Sequence, residues 1–258
     1  MNFSKYQGTG NDFVMIDDRD ETFPRDNQAL IARLCGRRFG IGADGLILLQ
    51  NHPDFDFRMV YFNADGAEGS MCGNGGRCIV RFAHDLGLFT SHTRFMAVDG
   101  EHEATVADGQ IALRMSNVLQ IDTSPDYSFT NTGSPHVVLF VDDLANCDVV
   151  GIGQQIRYSD AFAPTGTNVN FVQADADGTL FVRTYERGVE NETYSCGTGV
   201  TAAALIAHRQ SGTPSPIPIR TLGGNLNVSF RPSQKGGYET IDLIGPAERV
   251  FEGFVIVT

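Results

Sequence analysis

CGNGG at residues 72–76 and CGTGV at residues 196–200 are near-copies of one motif, and each copy opens with a cysteine. A run with helical periodicity follows each copy, so we predict helices over residues 77–88 and 201–210. A thiol just before a glycine-rich helix start lies where the helix dipole and unpaired backbone N–H groups favour negative charge. Each cysteine is therefore a candidate thiolate, and the duplication suggests two thiols that face each other.

The duplication extends over the whole chain. A shift of 124 positions (196 − 72 = 124) superimposes further identical residues, among them Phe57 on Phe181, Tyr61 on Tyr185, Glu68 on Glu192 and His84 on His208. Nearer the N-terminus the offset becomes 125, and GTGNDFVMID at 8–17 resembles GSPHVVLFVD at 133–142. This length exceeds a solenoid period. It predicts two related domains about a pseudo-two-fold axis, with a ligand pocket between them.

Strand patterns outnumber helical ones along the chain. Asp-Gly pairs at 99–100, 108–109 and 177–178 indicate tight hairpins. Further helices are predicted over 27–38 and 149–158, a last strand over 249–257, and a polar linker over 117–126. The predicted fold is α+β, with two pseudo-symmetric domains, each a curved sheet wrapped around a central helix. The predicted halves are 1–117, joined by the last C-terminal strand, and 118–258.

Composition narrows the classes of function. The chain of 258 residues is 41% hydrophobic, which suffices for two cores, and its formal net charge of −12 argues against a nucleic-acid partner. We expect no signal peptide and no membrane span, because no apolar run of sufficient length is present. The five cysteines form no C-x-x-C pair, which favours a reducing cytoplasmic setting over a disulfide framework.

The other cysteines and the two lysines exclude several classes of catalytic site. Cys35, Cys78 and Cys147 lie outside the repeated position, and we interpret them as small core residues. Two isolated thiols without closely spaced partners make a poor zinc site, so no metal is expected. Lys5 and Lys235 are the two lysines, and neither lies in a motif that suggests a pyridoxal phosphate Schiff base.

Two thiols on opposite sides of one carbon can invert its configuration, one as a thiolate that removes a proton and the other as a thiol that delivers one. The N–H groups of Gly73, Asn74, Gly197 and Thr198 would bind a substrate carboxylate and stabilise the developing carbanion. A buried structural cysteine or a simple nucleophile remains the alternative for each motif taken singly. A disulfide between Cys72 and Cys196 is expected as an oxidation product.

The motifs are similar to those of a known family. CGNGGRC at 72–78 and CGTG at 196–199 resemble the two catalytic motifs of the diaminopimelate epimerases. The resemblance covers essentially the whole chain, and it includes GNDF at 10–13, GIGAD at 40–44, FNADG at 62–66, PH at 135–136, TNVNF at 167–171, YERG at 185–188, GPA at 245–247 and GF at 253–254.

The resemblance implies a cofactor-independent isomerase of lysine and cell-wall precursor biosynthesis, active as a cytoplasmic homodimer. Cys72 and Cys196 would be its acid/base thiols. The implied substrate-binding residues are Asn11, Asn63, Gly73, Asn74, Asn168, Glu186, Arg187, Gly197 and Thr198. His136 and Glu186 are implied to modulate the thiol pKa values.

Each of these residues also has a structural interpretation. Asn11 and Asn63 fit turns, His136 fits a satisfied core histidine, and Glu186 with Arg187 fits a solvated pair. Two positions depart from the family pattern, namely Gly45, where some members carry Gln, and Ser134, where many carry Asn. A racemase of another amino acid, such as proline or histidine, and a non-catalytic binding or redox-sensing protein remain the rival hypotheses. The second carboxylate implied by Arg187 argues against the first rival.

Overall fold

The computed structural model describes residues 1–256. The described part of the chain contains four helices, α1 (Gln28–Cys35), α2 (Gly73–Asp85), α3 (Val149–Arg157) and α4 (Gly197–Ser211). Its strands are β1 (Asn2–Gly8), β2 (Asn11–Asp17), β3 (Gly45–Gln50), β4 (Phe57–Asn63), β5 (His92–Ala97), β6 (Gly100–Ala107), β7 (Gln110–Met115), β8 (Ile121–Thr123), β9 (Ser128–Asn131), β10 (Pro135–Phe140), β11 (Asn168–Ala174), β12 (Leu180–Glu186), β13 (Asn191–Thr193), β14 (Ile217–Thr221), β15 (Gly224–Pro232), β16 (Tyr238–Gly245) and β17 (Glu248–Phe254).

The chain forms two compact units. Unit 1 comprises residues 1–113 and 245–258, and unit 2 comprises residues 114–244. The boundary that we predict between residues 117 and 118 for the two epimerase halves stays a prediction.

The sheets of the two units repeat one pairing order. In unit 1, β1 and β2 are antiparallel, β2 and β3 parallel, β3 and β4 antiparallel, and β4 and β5 parallel. In unit 2, β9 and β10 are antiparallel, β10 and β11 parallel, β11 and β12 antiparallel, and β12 and β14 parallel. The α+β class and the repeated halves are thus confirmed.

One helix lies at the centre of each unit. α2 packs against β1 to β4 and β17, while α4 packs against β9 to β12, β14 and β15. The first eight residues of α2, residues 73–80, are buried, as are nearly all of residues 197–207 in α4. A helix buried on this scale draws its stability from packing, and the packing fixes where its N-terminus lies.

The predicted starts of both central helices, at residues 77 and 201, are wrong. The helices begin four residues earlier, with Cys72 and Cys196 as their N-caps. Glycine disfavours a helix by about 1 kcal/mol relative to alanine, which hid these turns from sequence reasoning. Packing restricts two of the glycines, because a Cβ on Gly76 would lie 2.7 Å from Leu113 Cδ2 and a Cβ on Gly199 would overlap Asn170 Oδ1.

Smaller elements also differ from the prediction. The predicted linker over 117–126 contains β8, and the short strand β13 was not predicted. The helix predicted over 27–38 ends at Cys35, where Gly36 adopts an extended conformation. The strand predicted over 249–257 ends at Phe254, and Val257 lies outside the described residues. The predicted Asp108-Gly109 hairpin turn is confirmed, since both residues have positive φ.

No helix within residues 1–256 is long and apolar enough to cross a membrane.

Candidate active site

The candidate site residues form two half-sites, each within its own unit. The Cys72 half-site comprises Cys72, Asn74 and Arg77 of α2 with Thr9, Asn11 and Asp44. The Cys196 half-site comprises Cys196 and Thr198 of α4 with Ser134, His136, Asn168 and Asn170.

Both cysteines lie at the N-terminus of a buried helix. Cys72 is half-buried and Cys196 is buried, and both have extended backbone angles ahead of the first turn. Their carbonyls accept the first helical hydrogen bonds, from Gly76 N at 2.7 Å and Val200 N at 2.9 Å. The N–H groups of a first helical turn have no acceptor within the helix, so this is where an anion binds best.

Asn11 is held against Cys72 by a chain of polar contacts. Its Nδ2 donates to Asp44 Oδ2 at 2.8 Å, so its Oδ1 faces α2 and accepts from Cys72 Sγ at 3.7 Å and Asn74 Nδ2 at 3.5 Å. Arg37 bridges the carboxylates of Asp44 and Asp12, at 2.6 and 2.8 Å. Ion pairs to Lys5 and Arg37 hold the pKa of Asp12 at about 2, against the opposing effect of burial. Asn11 is thus oriented by charged groups.

Arg77 is a fully buried cation in the same half-site. Its Nη2 donates to Asn74 Oδ1 at 3.0 Å and Thr9 Oγ1 at 3.1 Å, and its Nη1 donates to Gly73 O at 3.4 Å. Burial lowers its pKa, opposed by the nearby thiols of Cys78 and Cys72. The guanidinium therefore places positive charge beneath the first turn of α2. In the sequence, the only indication that Arg77 belongs to the site is its place in the CGNGGRC motif.

The Cys196 half-site has a neutral, buried histidine at the position equivalent to Asn11. His136 Nε2 lies 2.9 Å from both Thr198 Oγ1 and Ser134 Oγ. Burial is the main cause that lowers the pKa of His136 to about 3, and the positive charge of Arg187 adds to it. Thr198 Oγ1 lies 3.5 Å from Cys196 Sγ, so the hydroxyl links the ring to the thiol.

Asn168 and its neighbours are largely engaged with the protein itself. Asn168 Nδ2 donates to Pro135 O at 3.0 Å, and its Oδ1 accepts from Arg187 N at 2.8 Å. Arg187 Nη1 donates to Thr165 O at 3.3 Å, and Glu186 Oε2 accepts from Thr193 Oγ1 at 2.8 Å. Asn168 therefore positions the backbone that carries Arg187, a role that sequence reasoning did not predict.

Asn63 ends β4 with an exposed side chain, and the turn after it is closed by a bond from its N–H to Ala67 O at 2.9 Å. The departure at Gly45 has a steric reason nearby. A Cβ there would lie 2.6 Å from Tyr61 Cε2 and 2.7 Å from Phe62 O. The tyrosine ring occupies the space that a side chain at position 45 would need.

The other three thiols are poor acid/base groups at neutral pH. Burial raises the pKa of Cys35 to about 11 and also raises the pKa values of Cys78 and Cys147. None of the five cysteines forms a disulfide, and within residues 1–256 no group of three His, Cys, Asp or Glu side chains is arranged to hold a metal ion.

Comparison with known proteins connects this geometry to a family. The family model described as diaminopimelate epimerase matches residues 3–118 and 128–250. The chain belongs to the diaminopimelate epimerase family. The diaminopimelate epimerase of Flavobacterium psychrophilum is 52% identical over 254 residues, which cover 98% of this chain and 99% of that one. That of Aquifex aeolicus is 39% identical over 98% of this chain and 97% of its own.

Solved structures support the fold. A Bacillus anthracis phenazine biosynthesis protein of the PhzF family superimposes with a TM-score of 0.80 over 100% of this chain and 99% of its own, at 14% identity. At that identity the likeness concerns the fold alone.

Proposed function

We propose that this chain converts LL-2,6-diaminopimelate into the meso form in lysine and peptidoglycan precursor biosynthesis, by proton transfer between two thiols and without a cofactor. The observation that carries the proposal is the pair of N-capping cysteines, Cys72 and Cys196, on equivalent helices of a chain in this family. It is an amino-acid epimerase, an isomerase.

The reaction needs one base and one acid at the same substrate carbon. One thiolate removes the α-proton, the carbanion is stabilised by the N–H groups that bind its carboxylate, and the other thiol delivers a proton to the opposite face. Gly73 and Asn74 in one unit and Gly197 and Thr198 in the other supply those N–H groups. After one turnover the protonation states of the thiols are exchanged, which suits a reversible epimerisation.

The second carboxylate of the substrate is assigned to Asn63, Asn168 and Arg187. Asn11 and Glu186 are assigned to the rest of the substrate, Glu186 at an amino group. Arg187 is half-buried, and its side chain is anchored to Thr165 O at 3.3 Å. A planar guanidinium binds a carboxylate through two parallel hydrogen bonds. A substrate with one carboxylate, such as proline, would leave this fork unused.

The function is tested by proton exchange. Reduced protein is incubated with LL-diaminopimelate in D₂O, and α-deuteration and product stereochemistry are followed by NMR, with L-proline and L-histidine as comparison substrates. We expect deuteration of diaminopimelate alone, together with formation of the meso isomer. Absence of exchange would contradict the function. Exchange that persists in the Cys72→Ala/Cys196→Ala double variant would leave the function standing and refute the two-thiol mechanism.

We further propose a cytoplasmic homodimer. Five cysteines without a disulfide suit a reducing compartment. Apolar side chains on and after β17 offer a surface for a second copy, with Val250, Phe251, Phe254 and Ile256 exposed by 56, 47, 69 and 71%. Light scattering after size exclusion tests the dimer, and a monomer that persists at high concentration contradicts it. Phe254→Ser should weaken the dimer, whereas Val98→Ser, a control outside this surface with 62% exposure, should not.

A further inference from the structure

Asn170, which has no role in the proposed mechanism so far, lies behind His136 in the Cys196 half-site. It is fully buried on β11, and its Nδ2 donates to Val137 O at 2.9 Å and lies 3.1 Å from His136 Nδ1. Its Oδ1 accepts from Thr184 Oγ1 at 2.9 Å. Because Val137 O can only accept, the amide must turn its NH₂ group toward β10.

This orientation fixes the histidine tautomer. With an N–H of Asn170 pointing at it, His136 Nδ1 must present a lone pair, so the single proton of the neutral ring lies on Nε2. The very low pKa of His136 keeps the ring neutral across the physiological range. His136 Nε2–H is therefore a permanent donor aimed at the hydroxyls of Ser134 and Thr198, both 2.9 Å away.

The hydroxyls of Ser134 and Thr198 accept hydrogen bonds from two outside donors, His136 and Asn168. Ser134 Oγ also accepts from Asn168 Nδ2 at 3.3 Å, and it lies 3.2 Å from Thr198 Oγ1. Ser134 Oγ accepts from Asn168 Nδ2 and lies within reach of His136 Nε2–H, so its own hydrogen goes to Thr198 Oγ1. The Thr198 hydrogen then points away from both Ser134 and His136. Cys196 Sγ, at 3.5 Å, is the acceptor that remains among these contacts.

We propose that Asn170 is a positioning residue that locks His136 as the Nε2–H tautomer, so that the Thr198 hydroxyl donates its hydrogen to Cys196 and stabilises the thiolate. The inference rests on the proposed acid/base role of Cys196 and deepens it. It assigns the order of protons along Asn170, His136, Thr198 and Cys196, in which the histidine orients a hydroxyl and does not itself take up the thiol proton.

No charged residue on the strands next to β10 competes for the hydrogen bonds that connect Asn170 to Cys196. β9 (SFTN) and β11 (NVNFVQA), which flank β10, carry no charged residue. Arg187 acts on His136 from the end of β12 and disfavours the imidazolium. Glu186 at that end accepts from Thr193 Oγ1 at 2.8 Å, and the first ionisable residue within α4 is His208, in its last turn.

The tautomer is tested by ¹⁵N NMR of histidine-labelled protein without substrate, which does not depend on activity. The chain has six histidines, and His136 is assigned by the signal lost in His136→Gln. We expect an unprotonated Nδ1 and a protonated Nε2 from pH 8 to pH 5. Asn170→Asp leaves at most one hydrogen at the position of Nδ2, and Val137 O takes it, so Nδ1 must supply its own hydrogen and should become protonated. A protonated Nδ1 in the unaltered protein, or an unprotonated Nδ1 in Asn170→Asp, overturns the proposal.

The link to the thiol is tested with a matched pair at Thr198. The pH midpoint of iodoacetamide labelling is followed separately for Cys196 and Cys72 by peptide mass spectrometry. Thr198→Val, which keeps the shape and loses the hydroxyl, should raise the Cys196 midpoint by about one pH unit, while Thr198→Ser and the Cys72 midpoint should stay unchanged. An unchanged Cys196 midpoint in Thr198→Val overturns this link. A shifted midpoint in a protein that exchanges no α-proton would refute the proposed function and leave the hydrogen-bond order standing.

Discussion

The Cys72 and Cys196 half-sites share one backbone frame and differ in the charge around the thiol. Each cysteine caps a buried helix, and the residue five positions on in each helix bonds the carbonyl of the first glycine, Arg77 to Gly73 O at 3.4 Å and Thr201 to Gly197 O at 2.9 Å. At this equivalent position (77 + 124 = 201) one half carries a buried cation and the other a neutral hydroxyl.

The same contrast holds for the loops that meet the thiols. Asn11 faces Cys72 and is oriented by Asp44, whereas the equivalent His136 faces Thr198 and is oriented by the uncharged Asn170. A charged frame is sensitive to salt and to the loss of one partner, whereas a buried neutral frame is sensitive to packing and to acid. The duplicated fold thus supports two thiols by different means, which single substitutions can separate.

Removal of the buried cation should have the largest effect. We expect Arg77→Met to lower turnover about 10- to 100-fold, because an opposite charge nearby stabilises a thiolate by one or more pKa units. Arg77→Lys keeps the charge and should lose less. The labelling midpoint of Cys72 should rise in Arg77→Met while that of Cys196 stays constant. Equal shifts of both midpoints would show general loosening of the protein and contradict a local electrostatic role.

Gly75 and Gly199, the second glycines of the two motifs, provide a matched pair for packing. A Cβ on Gly199 would overlap Asn170 Oδ1, whereas one on the equivalent Gly75 would lie 3.3 Å from the flexible Ile47 Cδ1. We expect Gly199→Ala to destabilise the protein by about 1–3 kcal/mol despite the helix propensity of alanine. Gly75→Ala should be close to neutral, since about 1 kcal/mol of propensity offsets a small adjustment. Urea unfolding measures both, and equal losses would contradict the contrast.

The features that the sequence predicted correctly are those formed by residues close together in the chain. The two cysteine motifs and the Asp108-Gly109 turn are short-range signals, and the structure has a helix after each motif cysteine and a hairpin at this turn. The helix starts at Gly73 and Gly197 are not predicted because propensity penalises glycine, whereas packing favours glycine at Gly199, where a Cβ would overlap Asn170 Oδ1.

Partners distant in sequence could not be read from it. Nothing in the pattern shows that Arg77 is fully buried, that Asn168 bonds Arg187 N, or that Asn170 turns its NH₂ group toward His136. The contacts of Asn168 and Asn170 depend on strand register, which aligns His136 with Asn168 and Val138 with Asn170 across β10 and β11. The substrate roles predicted for the binding residues stay predictions.

Acid should destabilise the protein through the neutral half-site. The unfolded ring of His136 binds a proton near its ordinary pKa of about 6.5, while the folded ring does so only near 3. The unfolded state therefore holds more protons between these values, so stability is present above this window and is lost as the pH falls through it. We expect a loss of about 2 kcal/mol from pH 7 to pH 5 in urea unfolding.

His136→Gln should flatten this pH dependence, because it removes the group that titrates only in the unfolded state. His208 also has a lowered pKa through burial, so His208→Gln serves as the comparison for a partly exposed ring. A pH dependence that is unchanged in His136→Gln and removed in His208→Gln would assign the acid sensitivity to the far end of α4 instead of the half-site.

The smallest effect is expected where charge orients Asn11 at the surface. Asp44→Asn keeps the shape but removes the carboxylate that requires an N–H from Asn11, and both Asp44 and Arg37 are exposed, so the loss of stability should be at most about 1 kcal/mol. The Asn11 amide is then free to turn its NH₂ group toward Cys72, where an N–H would stabilise the thiolate that the oxygen disfavours. We therefore expect Asp44→Asn to lower the labelling midpoint of Cys72 and to leave that of Cys196 unchanged. The effect of the Asp44 charge on the Cys72 midpoint should shrink in high salt in the unaltered protein, whereas the midpoint of the variant should not depend on salt in this way. A Cys72 midpoint that does not move would show that Asn11 is held by Asn74 and α2 alone, and that the charged frame of this half-site serves the loop and not the thiol.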